Sequence, residues 1–354
     1  MILVNGRELG LIAAGMQHAV GVKADSTVVA VSGTASYING IGGWSDIVQV
    51  AAGGAHAVGL KADGTVVGVG TAGYINGIVS WGDIVQVAAG DRHTVGLKAD
   101  GTVVGVGTLS ASINGIENWS DIVQIAAECN SRQTIGLKAD GSVVGVGTAT
   151  YINGIENWSD IVQIAAGGQH TVGLKADGSV VGVGTATYIN GIENWSDIVQ
   201  IAAGGQHTVG LKADGSVVGV GTATCIDGIG SWSDIVQVAA GGQHTVGLKA
   251  DGTVVGVSNN ASYINGIDQW QLSIGQYYPI SGITSIDGTP TPMTVRAYEA
   301  DTGALKIETQ SDANGQYTLH LPKWYNGYIM AIPPEGHRPM AHGPITPPPD
   351  DTQV

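Results

Sequence analysis

The sequence has no phenylalanine, only two cysteines and no run of basic residues, and charged residues make up 12% of its 354 positions. With a formal net charge of −15, we expect no nucleic-acid partner, because phosphate binding needs clustered lysine and arginine. Cys129 and Cys225 lie in different repeats without a partner pattern, so we expect free thiols rather than a disulfide framework or a zinc site.

Long apolar runs and a signal peptide are also missing. No apolar stretch approaches the roughly 20 residues that a membrane-spanning helix needs, so we expect no membrane insertion. The start of the chain, residues 1–7, lacks a basic segment, a sustained apolar segment and a cleavage site. We therefore expect no secretory export.

What the sequence has in abundance is glycine, at 57 positions, and an internal repeat. The phrase Gly-Leu-Lys-Ala-Asp-Gly occurs six times, with a variant at Gly21, and the seven copies are 37 to 40 residues apart. Residues 136–187 recur unchanged as residues 173–224. A period of this length is typical of a solenoid or a propeller. Seven tryptophans keep nearly the same spacing: Trp44, Trp81, Trp119, Trp158, Trp195, Trp232 and Trp270.

Each repeat reads as a meander of short strands. In one copy, the β-branched run at 161–166 predicts a buried strand, and its paired alanines place it nearest the central axis. The runs 170–175 and 179–183 flank Asp177-Gly178, which predicts a hairpin with a type I′ turn. A weaker fourth strand is expected near 188–192, which gives four strands per repeat.

A sheet of about 37 residues cannot bury both faces alone, so the repeats must stack on one another. We predict an all-β fold in which seven repeats close into a seven-bladed propeller over residues 1–271, with an open solenoid as the competing architecture. How the ring closes stays open. The segment Leu9 to Ala14 starts its own blade or completes a sheet that begins near Tyr263.

The motif Val-Gln-Val-Ala-Ala-Gly, followed by His-Thr-Val-Gly-Leu-Lys-Ala-Asp-Gly-Thr-Val-Val, occurs between residues 236 and 255. It resembles the regulator-of-chromosome-condensation repeat in its short bacterial form, and the resemblance covers residues 9–270. The resemblance implies a seven-bladed propeller that binds a partner through its rim, without naming the ligand. The basic surface of the eukaryotic founder is missing from this chain.

The repeat rhythm stops at Gln271, and alternating runs separated by Asp-Gly, Thr-Gly and Asn-Gly follow, which is typical of a small β-sandwich. The segments Val295–Tyr298 and Ser311–Leu319 resemble the carboxypeptidase-regulatory-like, or prealbumin-like, fold found in phage tail and virion proteins. Such modules are non-catalytic spacers or docking units. We expect this sandwich over 272–335 and a proline-rich extended arm over 336–354.

Two recurring side chains invite a functional reading. A metal site needs ligands converging at about 2 Å, whereas repeated histidines stand far apart around a ring, so we interpret each as making one hydrogen bond beside its strand. The tryptophans could be sugar platforms, but we favour a role in covering the edge of the next blade. We expect no metal, no cofactor and no catalytic site. The histidines are His18, His56, His93, His170, His207 and His244.

Positions where one repeat differs from the others are the best candidates for a specific function. The fourth repeat replaces Ala-Ala-Gly-Gly-Gln-His with a segment two residues longer and without the histidine, and its neighbour carries an Asp-Arg pair and Leu109–Ser112 at deviating positions. We expect these deviations to share one sector of the rim and to contact a ligand or partner, with drift in a tolerant loop as the alternative. The candidate contact residues are Asp91, Arg92, Glu128, Asn130, Ser131, Arg132 and Gln133.

Together these features favour a non-enzymatic phage virion protein, in a tail fibre, baseplate or capsid decoration. The propeller would bind a host-surface glycan or protein, and the C-terminal domain would dock onto other virion proteins. The alternative is a bacterial protein-binding scaffold, in the cytoplasm or exported by a non-classical route. An enzyme is the third and least favoured reading.

Overall fold

The computed structural model describes residues 3–4, 7–8, 10–130 and 132–272, together with eight strands between residues 277 and 345. The contacts divide the chain into two compact units, which apart from the first few residues cover 7–273 and 274–354. Within the described residues, no helix has the length and apolar character needed to cross a membrane.

The first unit contains seven antiparallel three-stranded sheets, one per repeat, which we call blades 1 to 7. In each blade the chain forms an inner, a middle and an outer strand in that order. The inner strands are Ile12–Ala14, Ile47–Ala52, Ile84–Ala89, Ile122–Ala126, Ile161–Ala166, Ile198–Ala203 and Ile235–Ala240. The middle strands are His18–Val22, His56–Lys61, His93–Lys98, Thr134–Lys138, His170–Lys175, His207–Lys212 and His244–Lys249. The outer strands are Val28–Ser32, Val66–Gly70, Val103–Gly107, Val143–Val146, Val180–Gly184, Val217–Gly221 and Val254–Ser258.

The blades form a closed ring around a central channel. Residues of all seven inner strands line this channel, and each inner strand contacts the next, including that of blade 7 with that of blade 1. An open solenoid would leave the first and last blades apart. The prediction of an all-β, seven-bladed propeller is therefore confirmed.

Both ends of the array contribute to blade 1. Its inner strand pairs with its own middle strand, so the N-terminal segment starts its own blade. Leu272 forms a bridge with Lys23, at the place where Ile47 pairs with Lys61 in blade 2. Residues that follow the seventh repeat thus complete the first blade, which fastens the ring.

The expected fourth strand is wrong. After each outer strand the chain makes two short helical turns, and the backbone is satisfied within them: Ile189 N donates to Ala186 O and Trp195 N to Ile192 O. Between these turns Gly191 adopts a φ of +98°, in the left-handed region that favours glycine. The first turns are Ala35–Tyr37, Ala72–Ile75, Ser110–Ser112, Ala149–Ile152, Ala186–Tyr188, Ala223–Ile226 and Ala261–Tyr263. The second turns are Ile41–Gly43, Ile78–Ser80, Ile116–Asn118, Ile155–Asn157, Ile192–Asn194, Ile229–Ser231 and Ile267–Gln269.

The hairpin loops between middle and outer strands also differ from the predicted type I′ turn. In blade 5 only Gly178 has a positive φ, of +82°, and its N–H donates to Lys175 O. The Asp177 carboxylate instead accepts from Ser179 N at 2.9 Å and from Ser179 Oγ at 2.6 Å. This is a type I turn followed by a glycine bulge. The aspartate favours it because its carboxylate accepts the hydrogen bonds of Ser179, two residues further along the chain.

Apolar side chains fill the space between neighbouring blades. Ile135 and Leu137 of blade 4 pack with Ile161 and Ile164 of blade 5, and Trp158 lies against this cluster. A β-carbon added at Gly173 in the middle strand of blade 5 would lie 3.0 Å from the Trp158 ring. Trp158 thus packs on the middle strand of the next blade, and not on an edge strand as predicted.

In the second unit only strands are described. The four-stranded sheet has the order Leu305–Gln310, Thr294–Glu299, Gly327–Ile332 and Met340–Ile345. Two further pairs are Tyr277–Ile283 with Gln316–Pro322, and Ser285–Ile286 with Thr289–Pro290. A separate pair joins Leu3–Val4 and Arg7–Glu8. The prealbumin-like sandwich stays a prediction. Within the predicted arm at 336–354, Met340–Ile345 pairs with Gly327–Ile332, and the other residues of the arm lie outside the described ones.

Candidate functional site

The loops between inner and middle strands surround one end of the channel, and we call this end the mouth face. The hairpin loops between middle and outer strands lie at the opposite end, the turn face. At the mouth face a backbone N–H of one loop donates to a carbonyl of the next, as Gly54 does to Gly90 and Gly205 does to Gly241, each at 3.1 Å. Among the described residues, five of the seven pairs of successive loops are linked in this way.

Blade 4 departs from this arrangement. Gln133 stands where six blades have a histidine, and its Nε2 donates to Gly167 O at 3.2 Å, to His170 O at 2.9 Å and to Thr171 Oγ1 at 3.1 Å. All of these acceptors belong to the loop and middle strand of blade 5. One carboxamide therefore replaces both the backbone link and the histidine.

The histidines themselves are structural. His170 Nε2 lies 2.8 Å from Thr208 Oγ1 of the next blade, and that hydroxyl donates to Tyr188 O at 2.7 Å. Because the hydroxyl proton is used on the carbonyl, Nε2–H must be the donor to the threonine. The same bond joins His56 to Thr94, His93 to Thr134 and His207 to Thr245. The predicted hydrogen bond beside the strand is confirmed for these four and is wrong for His18 and His244, whose ring nitrogens have no hydrogen-bond partner among the described residues.

Burial governs the chemistry of the imidazoles. His170 has no exposed surface, and desolvation lowers its pKa to about 4. The other five histidines of this position are equally buried, and their pKa values are lowered to between about 3 and about 4 for the same main reason. In the described part of the chain, no group of three or more His, Cys, Asp or Glu side chains is placed to hold a metal ion.

The longer loop of blade 4 carries a buried carboxyl and a buried thiol into the channel lining. Glu128 accepts from Cys129 Sγ at 2.6 Å and from Asn130 N at 2.7 Å. Burial raises the pKa of Glu128 to about 7, and the charge of Asp91 adds to this. Burial and the neighbouring Glu128 raise the pKa of the Cys129 thiol well above its usual value. This protonated thiol is unsuited to nucleophilic chemistry; Cys129 and Cys225 are both free, as expected.

The exposed part of the candidate set comes from two adjacent blades. Arg92 Nε lies 3.4 Å from the carboxylate of half-buried Asp91. Burial raises the pKa of Asp91, and the charges of Arg92 and Arg132 oppose this shift. Arg132 of blade 4 thus lies close enough to act on a carboxylate of blade 3. The deviations of the two repeats do share one sector of the rim.

Of the seven candidates, Asp91, Arg92 and Arg132 are brought together at the surface, with exposed Asn130 projecting over the mouth. Glu128 and Gln133 are buried, so they shape the loop rather than meet a ligand. Ser131 lies outside the described residues.

Sequence reasoning missed two sets of glutamines. In the inner strands, Gln163 Oε1 accepts from Ile201 N of the next blade at 2.8 Å, and five more glutamines repeat this contact around the channel. The signal was one polar residue that recurs inside six of the seven apolar runs. The second set precedes the histidines at the mouth face: Gln17, Gln169, Gln206 and Gln243.

Comparison with known proteins agrees with this geometry. Residues 84–108, 161–188, 198–225 and 235–263 match the model of the Regulator of chromosome condensation (RCC1) repeat. Each segment spans the three strands of one blade, in blades 3, 5, 6 and 7, and the last three segments extend into the turn after the outer strand. The chain is therefore a propeller that contains RCC1 repeats. A search of curated proteins finds no match.

Solved structures show the same fold at low identity. The ectodomain of the receptor kinase CR4 from Physcomitrella patens has a TM-score of 0.58 and 15% identity, covering 90% of this chain and 89% of that one. The CRINKLY WD40 ectodomain of ACR4 from Arabidopsis thaliana has a TM-score of 0.57 and 19% identity, covering 71% and 96%. Prp20p from Saccharomyces cerevisiae has a TM-score of 0.50 and 16% identity, covering 77% and 90%. These similarities establish the fold alone.

Proposed function

We propose that this protein is a non-enzymatic binding protein that contacts its ligand at the mouth face, through the sector of blades 3 and 4. The observation that carries the proposal is the concentration of deviations there. In an array whose copies are identical over long stretches, Asp91, Arg92, Asn130 and Arg132 lie together around the mouth, three of them exposed. Loops that a rigid scaffold presents at one end are the usual position of binding residues.

The side chains at the mouth face suit binding better than catalysis. General acid–base catalysis needs a group that reaches the substrate and titrates near the working pH, but the histidines are fully buried and have lowered pKa values. Cys129 is buried with a raised pKa. Guanidinium and carboxamide groups remain at the surface, and these recognise a partner through hydrogen bonds and charge.

We further propose that the protein is a component of a phage virion. The propeller would face outward and bind a host-surface glycan or protein, and the C-terminal unit would dock onto other virion proteins. The resemblance of Val295–Tyr298 and Ser311–Leu319 to virion-associated modules supports this assignment, as does the division of the chain into a propeller unit and a separate unit. The competing assignment is a bacterial scaffold that binds a cellular protein.

Mass spectrometry of purified particles from the source culture tests the virion assignment. We expect the protein in particles at a fixed copy number relative to the major capsid protein. Its absence from particles, with the protein present in the cell lysate, would refute the virion assignment and favour the scaffold.

Binding of the full-length protein to cells of the source culture tests the mouth face. We expect the triple variant Arg92→Ala, Asn130→Ala, Arg132→Ala to lose about tenfold or more in affinity, since each side chain lost from a contact removes about 1 kcal/mol or more. The matched control, Lys175→Ala with Lys212→Ala at the turn face, should bind as the parent does. Equal binding by the triple variant and the parent would refute the assignment of this sector.

A further inference from the structure

One repeat position at the mouth face carries almost nothing but hydrogen-bond donors. It is the residue before the histidine, or before Gln133 in blade 4, and six of the seven blades place a side-chain N–H there. Four are carboxamides in consecutive blades, and two are guanidinium groups in blades 3 and 4. From blade 1 to blade 7 the residues are Gln17, Ala55, Arg92, Arg132, Gln169, Gln206 and Gln243.

The four glutamines are oriented so that they present donors. In each, Oε1 accepts a hydrogen bond from the segment after the outer strand: Gln17 from Thr34 at 3.2 Å, and Gln243 from Asn259 at 3.0 Å. Gln169 and Gln206 accept in the same way from Thr185 and Thr222 at 3.4 Å. With the oxygen engaged, the amide nitrogen of each is left to donate to a ligand acceptor.

The arginines give the ring a charged side. Arg92 and Arg132 are the two arginines of residues 10–130 and 132–272, and both are exposed. The lysines of the same residues lie away from the mouth, at the turn-face ends of the middle strands: Lys23, Lys61, Lys98, Lys138, Lys175, Lys212 and Lys249. In a chain of net charge −15, two adjacent guanidinium groups at the mouth mark a place suited to an anionic group.

Asn130 connects the charged side with the carboxamide side. Its Nδ2 lies 3.2 Å from the position of a β-carbon added at Gly168 and 3.3 Å from one at Gly205, in the loops of blades 5 and 6. It lines one cavity together with Gln17, Gln206, Gln243 and Tyr263. Donors from blades on opposite sides of the channel thus face a single cavity.

We propose that the mouth face binds an acidic oligosaccharide. A carboxylate of the oligosaccharide binds Arg92 and Arg132, and its hydroxyl groups bind Asn130 and the four glutamines described above. This proposal rests on the proposed function, because it takes the mouth as the binding surface. Guanidinium groups bind carboxylates through paired N–H donors, and fixed carboxamides suit the many oxygen acceptors of a sugar chain.

Two other polymers fit less well. A protein partner is usually held by large aromatic or aliphatic anchors in desolvated pockets, whereas the inner-to-middle loops carry mainly glycine, glutamine, arginine and asparagine. Nucleic acid needs several cations to displace phosphate counterions, and the mouth offers two, one of them paired with Asp91.

Calorimetric titration of the full-length protein with defined polymers tests the proposal. The probes are oligogalacturonate, its methyl ester, polysialic acid, poly-L-glutamate and duplex DNA. We expect at least one of the two acidic glycans to bind. Oligogalacturonate, where it binds, should lose about tenfold or more in affinity on esterification, since a hydrogen bond from a guanidinium to a carboxylate is stronger than one to a neutral ester.

Two double variants separate the contribution of the arginines to binding from that of the glutamines. Arg92→Gln with Arg132→Gln should abolish the preference for the acid over the ester. Gln206→Ala with Gln243→Ala should weaken both forms about equally, because it removes hydroxyl contacts only. Lys212→Gln with Lys249→Gln, at the turn face, is the control for overall charge and should change neither.

The outcomes distinguish this proposal from the proposed function. If neither acidic glycan binds while cell binding still depends on the mouth face, the glycan assignment is wrong and the proposed function stands. If poly-L-glutamate or DNA binds as tightly as the acidic glycans, with the same dependence on both arginines, the mouth face binds polyanions in general and the proposal is overturned. If cell binding does not depend on the mouth face at all, both fail.

Discussion

Blades 5 and 6 repeat one sequence, and blade 4 shows what happens when a copy diverges. On both sides of blade 4 the framework is unchanged: Gln124 still accepts from Ile164 N of blade 5 at 2.8 Å, and Trp119, which precedes the inner strand of blade 4, still packs against Gly136. The divergence is confined to the mouth face, where Gln133 replaces a histidine and Glu128 adds a buried carboxyl. The new polar groups form hydrogen bonds within their own loop or with the next blade, so the propeller accommodates them.

The largest effect that separates the two kinds of blade should be acid sensitivity. Since burial lowers the pKa of six histidines below the ordinary 6.5, the unfolded state binds more protons as the pH falls below about 6.5. The contribution of these six histidines to stability is complete above that pH and is lost as the pH falls toward 4. As the pH falls from about 7.5 to 5.5, each histidine should lower the free energy of unfolding by about 1.4 kcal/mol. The six together should lower it by about 8 kcal/mol.

Converting one histidine to the residue of blade 4 should reduce this slope. We expect His170→Gln to lower the pH-dependent loss by about 1.4 kcal/mol over the same interval, measured as the free energy of unfolding in denaturant at both pH values. Lys175→Gln in the same strand is the control. The slope is the readout, because any constant loss in His170→Gln cancels between the two pH values; an unchanged slope would contradict the prediction.

The second prediction concerns blade 4 and has the opposite sign. The pKa of Glu128 is raised to about 7, mainly by burial, so the folded state holds its proton more tightly than the unfolded state does. This contribution is complete below about pH 4.5 and is lost as the pH rises through 7. Relative to the parent, the free energy of unfolding of Glu128→Gln should therefore rise by about 2.5 kcal/mol between about pH 5 and 8.

Denaturant unfolding at pH 5 and pH 8 measures the difference. Glu193→Gln, an exposed residue between blades 5 and 6, should show no such gain. A Glu128→Gln curve parallel to the parent curve would mean that the carboxyl is ionised in the folded state at pH 5, contrary to its buried position.

The repeat pattern made the propeller predictable, because the same apolar positions recur in every copy and a closed ring buries them. The histidine bond of four blades followed from the same regularity. Turn geometry was less accessible: the Tyr188–Ile192 segment has strand-like composition, but Gly191 redirects it into helical turns. The role of Gln163 could not be derived either, because its partner, Ile201 N, is in another copy and only the closed ring brings the two together.

The candidate sector was predictable for a different reason. Asp91, Arg92 and Arg132 were singled out because they break the repeat, and corresponding positions of adjacent copies must be neighbours in a ring. Burial could not be derived in this way. Glu128 and Gln133 are as unusual in sequence as Arg132, yet they point inward and make the altered loop stable rather than reactive.

The smallest expected effect comes from blades 1 and 2, which have alanine where the other five blades have threonine after the histidine position. His18 and His244 face Ala57 and Ala19, where other blades have threonine, and neither Nε2 has a hydrogen-bond partner among the described residues. A buried donor without an acceptor costs about 1–3 kcal/mol. We expect Ala57→Thr to stabilise the propeller by about 1 kcal/mol, because its hydroxyl can accept from His18 and donate to a backbone carbonyl as Thr94 does.

Ala57→Val is the decisive control for this repair. Valine has the shape of threonine without the hydroxyl, so it adds the same buried volume next to His18 and leaves the imidazole unbonded. If the missing hydrogen bond is the cause, unfolding in denaturant will show a gain for threonine alone, and Thr208→Ala under His170 will show a matching loss. Equal gains for valine and threonine would instead mean that blades 1 and 2 lack packing, and that the histidine bond adds little to the stability of any blade.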